Sequence, residues 1–145
     1  MRYWILTICL LSGCEKPAGQ SGAERFVAIY RTAYDSGDAQ AALALVHWEG
    51  VPEESRQGMS WMLTNYVGQH KITKTVLTPF KARPSLPPWK DGRKLVSNIP
   101  PLFRLEVTTE RTLGSTNEAS ATVREFFVGT KDGKFLFCGL KFAVR

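Results

Sequence analysis

The stretch SGAERFVAIYRTAYDSGDAQAALALV, residues 21–46, reads as a helix, a turn and a second helix. Ser21 followed three residues later by Glu24 has the form of a capping box, in which each side chain satisfies a backbone N–H that a first helical turn leaves unpaired. Phe26, Ile29, Tyr30, Ala33 and Tyr34 then recur at helical spacing, with Arg25, Arg31 and Asp35 off that stripe. One apolar stripe at this period predicts a helix over 23–36 that lays one face on a core. Gly37 can take the left-handed conformation that closes a helix. Asp38 can cap a shorter helix through Ala39, Ala41, Ala42, Leu43, Leu45 and Val46.

Toward the C-terminus a third helix is expected to open at Pro52, where a missing N–H costs nothing and Glu53 and Glu54 suit the positive end of the dipole. Met59, Met62, Leu63 and Tyr66 form its face, and Gly68 can end it. The periodicity then changes from 3.6 to 2, which predicts strands over 71–78, 102–110, 119–128 and 134–143. Lys131-Asp132-Gly133-Lys134 between the last two is a hairpin turn. In the final strand Phe135 and Phe137 share one face while Leu136, Cys138, Leu140 and Phe142 share the other, the pattern of a strand covered on both sides. Arg124, Phe126 and Val128 alternate against Val123, Glu125 and Phe127, so the apolar side of the third strand is not cleanly assigned. Six of the eight prolines fall within 79–101, which marks an extended, mostly irregular excursion with a short strand at 94–97.

Helices followed by strands within 145 residues predict a single α+β domain, with the N-terminal helices packed on a curved antiparallel sheet. The element order and the helix, Ser-Gly-Asp turn, Ala-rich helix pattern from Ala33 to Val46 resemble the nuclear transport factor 2-like, or cystatin-like, cone superfamily. That resemblance covers residues 21–145 and carries no diagnostic motif. It implies either an enzyme of isomerase, hydratase or hydrolase type, with an acid-base residue inside the cone, or a binding module that uses the pocket. It also makes a homodimer through the sheet a possible assembly.

Toward the N-terminus, Arg2 precedes an uncharged apolar run from Tyr3 to Leu11, too short for the roughly 20 residues that span a bilayer but the length of a signal h-region. The run ends in Leu11-Ser12-Gly13-Cys14, which resembles the bacterial lipobox: an aliphatic residue, two small residues and the cysteine that becomes lipidated. The resemblance implies a lipoprotein signal peptide over 1–13, a lipid-bearing Cys14, and a protein held at the bacterial cell envelope. Several acyl chains anchor stably where one does not. Residues 15–22 are small, polar or helix-breaking, so 14–22 is expected to be a flexible tether and 23–145 the folded domain. Cys9 would leave with the signal and Cys14 would be consumed, which leaves Cys138 as a buried, inert thiol with no disulfide partner.

The net charge of +6 is concentrated: residues 71–104 hold eight basic side chains against one acid. Trp89, Lys90, Arg93 and Lys94 within the Pro-rich loop are therefore candidates for contact with anionic lipid, cell-wall polymer or an acidic envelope protein. The plainer reading of the same loop is a solvated basic surface. Nucleic acid is not the expected partner outside the cytoplasm. His47 and Glu49, beside Trp48, are the weak candidates for acid-base chemistry; equally, they can be solvated groups in the bend before Pro52. Two distant histidines and no Cys or Asp cluster at ligand spacing argue against a metal, and no phosphate loop or dinucleotide turn suggests a cofactor.

Overall fold

The computed structural model describes residues 18–111 and 121–144; the proposed signal peptide, Cys14 and the start of the tether lie outside them. Helix α1 (Ala18–Ser36) buries Ala23, Phe26, Tyr30 and Tyr34, the stripe expected from their spacing. It begins five residues earlier than expected, so residues 18–22 are helix rather than tether, and Ser21 lies inside it rather than at its cap. The reason is packing. A Cβ on Gly22 would sit 2.6 Å from the Phe135 ring, so the bare glycine lets this turn of helix press on the sheet.

Gly37, at φ +85°, closes α1, and Asp38 accepts a hydrogen bond from the Ala41 N–H at 2.9 Å to cap α2 (Ala39–Leu43). This helix stops three residues short of Val46, because Val46 and His47 form strand β1 (Val46–His47) instead. α3 (Glu53–Thr64) follows Pro52, with Glu53 and Glu54 in its first turn. The strands are β2 (His70–Pro79), β3 (Leu95–Ser97), β4 (Pro101–Arg111), β5 (Ala121–Lys131), β6 (Lys134–Cys138) and β7 (Leu140–Phe142).

The main sheet has the order β1-β6-β5-β4-β2, antiparallel throughout except for the β1–β6 pair, which is parallel. The helices pack on one face of it, so the α+β class stands. Register shifts at Ile72/Lys74 and Pro101/Phe103 bend β2 and β4, as an extra residue in one strand does. The β5–β6 turn places Asp132 and Gly133 at positive φ (50° and 75°), the geometry of a two-residue hairpin. The space between helices and sheet is aromatic: Phe137 meets Phe26 at 4.8 Å, Tyr30 at 5.0 Å and Phe126 at 5.2 Å. The Tyr30 hydroxyl donates to the Leu63 carbonyl, tying α1 to α3.

The expected last strand is broken at Gly139. A side chain there would collide with Val51, the His47 carbonyl and the Asn98 amide. Asn98 fills that corner. Its amide donates to the carbonyls of His47 (2.6 Å) and Glu49 (2.9 Å), and its Oδ1 accepts from the Gly139 N–H (2.8 Å). Beyond the corner, β7 leaves the main sheet and pairs with β3 in a separate two-stranded sheet.

Candidate functional site

The departure of the chain at Gly139 creates the site. β6 pairs with β5 only from Val128 to Lys131, so among the described residues the preceding part of β5 has no strand on that edge. A cleft of about 520 Å³ occupies the gap. α3 supplies Gly58, Met59 and Met62, the Pro-rich segment supplies Leu86 and Trp89, β5 supplies Phe126 and β7 supplies Leu140. Its volume and apolar lining are those of a small-molecule pocket.

Glu125 also lines the cleft, its side chain 56% exposed and 4.0 Å from Arg104, and two buried polar groups interrupt the lining. Ser55 is 6% exposed, and its Oγ has no hydrogen-bond partner; the Trp89 indole N–H is likewise buried without one. An unsatisfied buried polar group costs about 1–3 kcal/mol, so two of them in one cleft require an explanation. Gly58 is the third anomaly. It lies in the interior of α3, where glycine is about 1 kcal/mol worse than alanine, and a Cβ there would meet nothing within 4 Å. Gly58 is exposed and borders the cleft, and neither a turn nor a close approach demands glycine there. Cys138 also borders the cleft, but burial pushes its thiol up to about 12, which leaves it protonated and inert.

The four loop candidates are brought together, but not as four free contacts. Arg93 donates to Glu54 at 2.8 Å and to Asp91, and its guanidinium lies 3.6 Å from the Phe142 ring centroid. The Arg93 backbone N–H, its side chain and its charge hold the Asp91 carboxyl below the usual range. Arg93 thus fastens the Pro-rich segment to the first turn of α3. Trp89 is half-buried, edge-on to Phe142 at 6.1 Å, and forms part of the cleft wall. Lys90 and Lys94 remain exposed, and Lys94 joins Arg83 and Lys141 along a groove of about 570 Å³ that shares Leu86 and Leu95 with the apolar cleft.

His47 and Glu49 do approach one another, with Nε2 to Oε2 at 3.4 Å, their side chains 16% and 79% exposed. Neither lines the cavities described here. Trp48 between them donates to the Leu43 carbonyl and packs on the core.

The polar group that the sequence left unassigned is Arg124. It points under the helices and is 7% exposed; Nη1 donates to the carbonyls of Met62 (3.1 Å) and Asn65 (3.4 Å), while Nη2 is buried without a partner. His70 is buried nearby on β2, stacked on Tyr66 with centroids 4.4 Å apart. Tyr66 holds a positive φ of 66°, a rare state for an aromatic residue that costs about 1–3 kcal/mol and concentrates at functional sites. Among the described residues no group of His, Cys, Asp and Glu is placed to hold a metal ion, and no helix is long and apolar enough to cross a membrane.

No family model matches the sequence, and no curated protein matches it. Among solved structures the chain is similar to the helical cell shape determining protein Pgp2 from Campylobacter jejuni, at 10% identity and a TM-score of 0.45 over 80% of this chain. It spans 38% of the length of that protein. A protein designated Rd1NTF2_05, with five substitutions, is similar at 12% identity and TM-score 0.45, over 86% of this chain and 99% of that one. A protein described as a polyketide cyclase from Silicibacter sp. TM1040 is similar at 11% identity and TM-score 0.40, over 86% and 90%.

Proposed function

We propose that the chain is the precursor of a lipid-anchored bacterial envelope protein, and that its folded part, a nuclear transport factor 2-like domain, is a binding module for an apolar small molecule. The ligand class follows from the cleft. Apart from Glu125 its walls are mostly hydrocarbon and aromatic, and its two unpaired groups are one obligate donor, the Trp89 indole N–H, and one hydroxyl, Ser55. A carbonyl oxygen on an acyl chain or ring is an acceptor that either group can use. The observation that carries this reading is the pair of buried, unpartnered polar groups, Ser55 Oγ and the Trp89 indole N–H, set in a largely apolar cleft. The anchor is supported by the signal-like run from Tyr3 to Leu11 and the lipobox ending in Cys14. The acid-base alternative at His47 and Glu49 is not carried forward, because those side chains stand outside the cleft.

The test is titration of a dansylated medium-chain fatty acid into the full chain carrying Cys14→Ser. Saturable fluorescence enhancement is expected, and Gly58→Phe, which projects a ring into open space, should reduce the affinity at least tenfold while leaving the thermal midpoint unlowered. Equal binding by the two proteins would overturn the reading.

A further inference from the structure

Five buried side-chain atoms lack a partner among the described residues. Ser55 and Trp89 belong to the apolar cleft; His70 Nδ1, Thr109 Oγ1 and Arg124 Nη2 lie together at the other end of the sheet, where β2 and β5 begin and β4 ends. The register explains the grouping. His70 is opposite Arg111, Thr109 is opposite both Ile72 and Thr122, and Arg124 is one inward position further along β5. A cavity of about 220 Å³ opens there, lined by Tyr66, Gln69, His70, Arg111 and Thr122.

We propose that this cavity binds a small oxyanion, a carboxylate or a phosphate- or sulfate-type group, with Arg111 and Thr122 in contact with it and the Arg124 guanidinium as the fixed charge behind the Tyr66 and His70 rings. Charge is the first reason. Among the described residues no carboxylate lines the cavity, and neither Arg111 nor Arg124 makes an ion pair. The buried Arg124 guanidinium, held by two carbonyls and facing the Tyr66 ring, carries no counter-charge of its own, so its field falls on the adjoining cavity. Shape is the second reason. Tyr66 gives up an ordinary backbone conformation to place its ring face-on to His70 and 6.0 Å from the Arg124 guanidinium, forming one wall of the cavity. His70 responds to the same field: desolvation first, then the charges of Arg124 and Arg111, hold its pKa below the ordinary value. A neutral imidazole between two cations leaves uncompensated positive potential in the cavity.

This site is separate from the apolar cleft, and its test does not depend on that reading. Sodium sulfate, inorganic phosphate and phosphatidylglycerol vesicles are each titrated into the full chain carrying Cys14→Ser, with sodium chloride at matched ionic strength as the control. The readouts are the thermal midpoint and the His70 ring resonances. A saturable shift of the His70 signals that chloride does not produce is expected, and Arg111→Gln, a change at an exposed residue, should weaken it at least fivefold. A response to the free salts identifies a soluble oxyanion; a response confined to vesicles identifies a lipid headgroup. No response to any of the three, or an unchanged response in Arg111→Gln, overturns the proposal.

Discussion

At the scale of single residues, His70 and Arg124 have opposite relations to water and charge. Arg124 stays charged when buried, so the protein must surround it with carbonyls; His70 can instead give up its proton. Its pKa is lowered in the folded chain by desolvation and by Arg124 and Arg111, while the unfolded chain returns it to about 6.5. Below that value the unfolded state therefore binds more protons than the native state. The stability linked to this group is fully present above pH 6.5 and is lost as pH falls through and below it. Urea unfolding of the full chain from pH 7.5 down to pH 5 should show this loss, and His70→Asn should flatten the profile over that window. Parallel profiles for the two proteins would mean that His70 is not the titrating group. The sequence offered a partial signal for this cluster: Arg124 interrupted the alternation of Phe126 and Val128, which is what a buried charge looks like in a strand. It did not identify the partners, because Tyr66, His70 and Arg111 come from a turn and two other strands that only the register brings together.

At the scale of elements, what could be read in advance was whatever depends on local periodicity and turn chemistry. The Tyr30 and Tyr34 stripe, the Gly37 and Asp38 turn, the Pro52 start and the Asp132-Gly133 hairpin are all decided within a few residues of themselves, and each is present. The readings that changed depend on distant chain. Val46 and His47 leave the Ala-rich helix because β6 offers them a parallel partner, and the strand from Lys134 breaks because Asn98, about forty residues upstream, holds Gly139 at the corner. The apolar cleft arises at that break, so no local pattern could have revealed it. Helix α3 carries the corresponding prediction. Gly58 sits mid-helix with empty space at its Cβ position, so Gly58→Ala should raise the unfolding free energy by about 1 kcal/mol. The check is urea denaturation with an unchanged m-value; a destabilised Gly58→Ala protein would show that the glycine has a conformational role.

At the scale of the whole molecule, the early start of α1 sharpens the proposed anchor. Only four peptide steps separate Cys14 from Ala18, a reach of at most about 14 Å even when fully extended, so a lipidated chain would hold its domain close to the bilayer. On a leash that short, exposed cations would add to the proposed anchoring, by about 1 kcal/mol each near anionic lipid. Lys90 and Lys94 are available for this, whereas Arg93 is already committed to Glu54, Asp91 and Phe142. These contributions are secondary to the acyl chains, because each buried methylene is worth about 0.8 kcal/mol and a surface charge is screened within about 8 Å at physiological salt. Cys14→Ser should therefore abolish incorporation of radiolabelled palmitate in a bacterial host and leave a precursor longer than the mature protein by the signal residues. Lys90 and Lys94 should be unable to rescue the anchoring of that protein in high salt. Palmitate labelling that persists in the Cys14→Ser protein would remove the lipobox as the basis of the anchor, while leaving the cleft beside Gly58 and the cavity beside Arg111 to be judged on their own ligands.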